Sequence, residues 1–267
     1  MASEFIAAAA KAIHVMTTPA RDLTPEEAFK LVTALVSSGD LTLGDQVASY
    51  KAGQQLKIAT TIAGVEFRQA LGKNKGVNGS AGAVKTPFFF PTAPFAVVLH
   101  RLAVRLRDRW GASQIVWGGI GAGSGSHSLD CHMIGTCVDF YGATTSQGIF
   151  DVRRDWFLRP VTLKNGKRHA LAPDDNDRWG NDNHTWYRLA TSTDTKDLVA
   201  KNFFVDVYTF ISEQCTFGRY DIAPDAFKNG AVMRAGYTLH PDYPIVDSRR
   251  HHNDHIHFQL GEAILKA

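Results

Sequence analysis

The chain has 267 residues, 44% hydrophobic and 21% charged, with a formal net charge of +3, enough for one large domain or a catalytic domain with a smaller companion. No apolar run approaches the roughly 20 residues that cross a bilayer, and Lys and Arg are spread without the basic block of a nucleic-acid arm. Neither a membrane span nor a nucleic-acid partner is expected, and 6 Glu against 20 Asp leave few glutamates to act as a catalytic base.

The first stretch, MASEFIAAAAKAIHVMTTPA, is apolar, but it has no basic start and Glu4, Lys11 and His14 interrupt it. It is a poor secretory signal, so a chain made in the cytoplasm needs another route if it acts outside. Thr24-Pro25-Glu26-Glu27 predicts a helix start in which Thr24 caps, Pro25 takes the first position and Glu27 completes a capping box. Phe29, Leu31, Val32, Leu35 and Val36 continue it as an apolar stripe to Ser38-Gly39.

A second helix is expected over Gln46 to Leu71, bent around Gly53 and Gly64, and an irregular Gly- and Pro-rich junction over 72–94. PFAVVLHRLAVRLRDRWG then predicts a long amphipathic helix with Val98, Leu102 and Leu106 on one face, His100 being structural or exposed. From Gln114 the texture becomes β-like in QIVWG, TCVDFYG, GIFDV and HIHFQL, with one more helix over 201–212. The class is therefore α+β: a small antiparallel sheet flanked by helices. The expected division is an N-terminal helical region over 1–90 and a catalytic domain over 91–267.

The chemistry concentrates in two places. In a strand alternate side chains share a face, so His255 and His257 of DHIHF point one way and Ile256 the other; His252 is near enough to reach the same pocket. In CHMIGTCVDF, His132 precedes a turn at Gly135, and Asp139 shares a strand face with Cys137. Two imidazoles and a carboxylate, with the fourth position left to water, make an open zinc site rather than a closed structural one. The cysteines Cys131, Cys137 and Cys215 are too few for a disulfide-stapled module. Buried thiols are the plainer reading, with pairing of Cys131 and Cys137 the alternative.

His132-x-x-Gly135-x-x-x-Asp139 followed by His255-x-His257 resembles the LAS metallopeptidases, which include lysostaphin-type enzymes, D-alanyl-D-alanine peptidases and murein endopeptidases. The resemblance spans about 124–260 and implies Zn2+ held by His132, Asp139 and His257. No Glu stands a few positions before the His-x-His pair; His252 does, which is similar to the His-x-x-His-x-His of the penicillin-insensitive murein endopeptidases. Cys131 stands where those enzymes carry Ser.

By this resemblance the chain is a zinc-dependent D,D-endopeptidase that hydrolyses peptidoglycan cross-links with a zinc-activated water. His252 and His255 are the catalytic pair, general base and oxyanion donor in either order, with Asp254 or Asn253 orienting a ring. A D-alanyl carboxypeptidase, or a His-Asn-His nuclease suggested by HHNDH, is the alternative, and a non-catalytic hedgehog-like zinc module a third. With no convincing signal, a phage lysin or an injected toxin fits best, the N-terminal region being a candidate delivery or wall-binding element. Delivery machinery or an immunity protein would then be a partner.

Overall fold

The computed structural model describes residues 16–70, 83–84, 87–120, 131–155, 161–162, 168–169, 198–215, 237–239 and 255–260. Thr24 builds the expected capping box. Its Oγ1 accepts from the Glu27 N–H at 3.2 Å, while the Glu27 carboxylate accepts from the Thr24 N–H at 3.0 Å. The helix that follows, α1 (Pro25–Ser37), turns off at Gly39 with φ +84° and buries Ala28 and Val32.

The expected second helix over 46–71 is not formed; most of its second half is strand. Ile58–Ala59 (β1), Thr61–Ile62 (β2) and Val65–Ala70 (β3) are extended, and β2 and β3 make a hairpin. The two turn residues, Ala63 and Gly64, have φ +49° and +80°, the positive pair whose twist suits a two-residue hairpin. Along β3, Val65 and Phe67 are buried and Glu66 and Arg68 half-buried, a period of two rather than 3.6. The junction expected to be irregular carries two short strands, Ala83–Val84 (β4) against β3 and Phe88–Phe89 (β5) against β1.

The long helix α2 (Ala93–Trp110) has Val98, Leu102 and Leu106 buried and ends on Gly111 at φ +61°. β6 (Gln114–Gly118), α3 (Cys131–Ile134), β7 (Cys137–Thr145), β8 (Gly148–Asp151) and α4 (Val152–Asp155) follow. Val161–Thr162 (β9) and Arg168–His169 (β10) form a separate pair. The last predicted helix, α5 (Leu198–Cys215), runs beyond 201–212 at both ends, and β11 (Tyr237–Leu239) and β12 (Ile256–Gln259) complete the order.

The fold is α+β, but the site-bearing sheet is larger than expected. Eight strands run β11-β12-β7-β6-β3-β2, with β4 on β3 and β8 on β7. β3 and β6 are parallel and the other pairs antiparallel. β3 thus pairs in the same sheet as β6 and β7, and its Val65 and Phe67 lie in the same core.

One core gathers Phe67, Ile115, Val138, Phe140, Ile256 and Phe258 with residues of α2 and α5. Phe95 of α2 meets Phe258 at 5.9 Å between ring centroids, and Phe203 of α5 meets Phe140 at 6.4 Å. Burying each such side chain contributes about 1.5–3 kcal/mol, and a one-residue slip would turn the whole set outward. This core therefore sets the register of β7 and β12. The alternate residues Cys137, Asp139, Tyr141 and His257 are thereby committed to the opposite face.

Candidate metal centre

In the β7–β12 pairing His257 lies directly opposite Asp139. Its Nδ1 is 2.9 Å from Asp139 Oδ1. His255 enters just before β12 and brings Nε2 to 3.4 Å from the same oxygen, and His132 on α3 brings Nε2 to 3.5 Å. Three imidazoles from two stretches of chain thus converge on one carboxylate oxygen. His255 and His257 are buried, whereas the side chains of His132 and Asp139 keep 26% and 16% exposure, so the cluster opens to solvent on the His132 side.

The turn that carries His132 is tied to its neighbours. Gly135 has φ +74°, and a Cβ there would stand 2.2 Å from the Phe90 carbonyl oxygen, a clash that only glycine avoids. The Gly135 carbonyl accepts from the Thr92 N–H at 2.9 Å, and the Thr136 carbonyl accepts from the Leu260 N–H at 3.0 Å. This second bond links the His132 turn to the strand that carries His257.

Gly119 orients the ring. Its carbonyl oxygen lies 2.6 Å from His132 Nδ1, so Nδ1 carries the proton and donates it, leaving the lone pair of Nε2 directed at the carboxylate. Gly119 has φ +62°, and a Cβ on it would fall 2.3 Å from that same Nδ1. Cys131 and Cys137 are joined in a disulfide, which replaces the expectation of free thiols for this pair and closes the turn from one flank of His132 to two residues before Asp139. Cys215 is the buried thiol expected, and burial pushes its pKa up.

Burial opposes ionisation of Asp139, but the imidazoles of His255, His257 and His132 outweigh it and hold the carboxyl well below the usual range. His257 is displaced downward, chiefly by burial and against the upward pull of Asp139.

Four ligands about 2.0 Å from a tetrahedral zinc stand about 3.3 Å from one another, and the two distances to Asp139 Oδ1, 2.9 and 3.5 Å, lie on either side of that value. Donor atoms of Cys131, His132, Cys137 and His257 also lie within 4.8 Å of one another, a group that can hold a metal ion. With both sulfurs in the disulfide, His132 and His257 are the donors of that group that remain, and Asp139 Oδ1 lies beside both rings.

The structure thus brings together His132, Asp139, His257 and His255. His252, Asn253 and Asp254 lie outside the described residues. His100 is structural, 3.6 Å from Asp40. Sequence reasoning missed Gly119 and also Tyr141, which is fully buried with its ring 5.2 Å from that of His255. Period-two alternation from Asp139 would have placed Tyr141 on this face, whereas nothing local marks Gly119. Among the described residues no helix is long and apolar enough to cross a membrane. Comparison with protein-family models, curated proteins and solved structures gives no match, so the functional reading rests on the chemistry of the cluster itself.

Proposed function

We propose that the chain is a zinc-dependent peptidoglycan D,D-endopeptidase of the LAS type. The observation that carries this reading is the approach of His132 Nε2 and His257 Nδ1 to one oxygen of Asp139, at 3.5 and 2.9 Å. These residues form the trio that the sequence resemblance singles out. His132 Nε2, Asp139 Oδ1 and His257 Nδ1 would hold the ion; when bound, zinc polarises the scissile carbonyl and brings the pKa of water to about 7.

The remaining chemistry belongs to the protein. Gly119 holds His132 in one tautomer, and the partly exposed His132 edge is where a peptide reaches the site. His255, buried beside Asp139, donates to the oxyanion as the carbonyl becomes tetrahedral. His252 takes the proton of the attacking water and returns it to the leaving amine, a role suited to an unperturbed pKa near 6.5. The substrate places this work at the cell wall, after release or injected delivery from the cytoplasm where the chain is made.

The test is digestion of purified sacculi with and without a chelator, with mass spectrometry of the released muropeptides. Cross-linked dimers should become monomers, and chelation or His132→Ala should lower the yield by at least about a hundredfold. Free D-alanine with intact dimers would move the assignment to a carboxypeptidase; no metal-dependent product would end it.

A further inference from the structure

We propose that Cys131 and Cys137, when reduced, form with His257 and His132 a second, closed mode of metal coordination that competes with the open one. The inference rests on reading the centre as a zinc site. Its basis is the position of the His257 ring between two donor sets: Nδ1 faces Asp139 Oδ1 at 2.9 Å, while Nε2 faces Cys131 Sγ at 3.8 Å. The four donors of the sulfur-side group already lie within 4.8 Å of one another, and the two cysteine Cα atoms are 5.4 Å apart. A tetrahedral zinc with bonds of about 2.3 Å to sulfur and 2.0 Å to nitrogen needs donors about 3.3–3.8 Å apart, within reach of side-chain rotation.

The two modes exchange through one two-electron step. A dithiol reductant breaks the Cys131–Cys137 bond, supplying two electrons and two protons and leaving as its own disulfide; the freed thiols lose those protons on binding the cation. Thiolates are soft donors that suit zinc, and two of them with two imidazoles fill all four positions, so no place remains for a reactive water. In the reverse step oxidised glutathione takes two electrons from the thiolates, the S–S bond forms, and two glutathione thiolates leave and are protonated by solvent. His257 is then returned to the Asp139 side. The same chain is closed in a reducing compartment and open in an oxidising one.

Cobalt(II) added to the full-length chain tests this, with tris(carboxyethyl)phosphine or oxidised glutathione setting the state of the sulfurs. The reduced protein should show a thiolate-to-cobalt charge-transfer band, and oxidation should remove the band and weaken cobalt binding by about tenfold or more. The double variant Cys131→Ser/Cys137→Ser should lack the band in both conditions. Cobalt bound to the reduced wild type without the band, a band persisting in the double variant, or no binding to the reduced chain overturns the proposal. Asp139→Asn separates the two readings, because it should abolish binding only in the oxidised form. Retained oxidised binding in that variant would sink the His132–Asp139–His257 ligand set while the band still decides the sulfur site.

Discussion

His132 owes its orientation to a residue thirteen positions earlier, since the Gly119 carbonyl fixes which ring nitrogen faces Asp139. Gly119→Ala would set a methyl group 2.3 Å from Nδ1 on a backbone of positive φ, and the ring would have to turn. Zinc affinity measured by chelator competition should fall about 10–100-fold while circular dichroism stays native; unchanged affinity would mean that this carbonyl does not hold the ring. His255 and His257 were legible as a pair because strand alternation acts over a few residues, whereas His132 and Asp139 were joined to them by the motif resemblance. Gly119 was not legible, because its role is a contact made only in the folded chain. The disulfide was legible only as an option: two cysteines flanking a turn fit a bond and a pair of thiols equally well.

At the scale of elements, local signals read well where they were complete. Thr24→Ala removes both halves of the capping box of α1 and should lower stability by about 1 kcal/mol in urea denaturation. The contact between α2 and α5 centres on Asp206, which accepts from Trp110 Nε1–H at 2.8 Å and faces Arg105 and Arg109. Burial would raise the Asp206 pKa, but the hydrogen bonds from Arg105 and Trp110 and the two guanidinium charges outweigh it and lower the value. With the folded pKa below the unfolded one, near 3.9, the stabilisation is present above about pH 4 and is lost as pH falls through the folded value. Asp206→Asn should cost about 1–3 kcal/mol at neutral pH and flatten the decline of stability toward pH 3; equal slopes for both proteins would refute the role. The helix expected over 46–71 failed because the deciding signal, a hairpin turn at Ala63-Gly64 with alternating Val65-Glu66-Phe67-Arg68, lay inside a window read for a 3.6 period.

For the molecule as a whole, the parallel pairing of β3 with β6 makes the N-terminal region part of the site's scaffold. A fragment of residues 91–267 would leave the β6 edge bare and remove Val65 and Phe67 from the core. It should aggregate, or lose the near-ultraviolet circular dichroism of packed aromatics, despite keeping every proposed ligand; a soluble, cooperatively unfolding fragment would show the N-terminal region to be dispensable. The class was legible from the texture of the chain, but the joining of β3 to β6 was not, since nothing local in either strand names its partner. β12 sits between β7 and β11 although it is close to the carboxyl end. A nascent chain therefore keeps an unfilled slot in its sheet until residues 255–260 leave the ribosome, and proteolytic clipping ahead of them would leave an intact-looking body that has lost His257 and His255 while keeping His132 and Asp139.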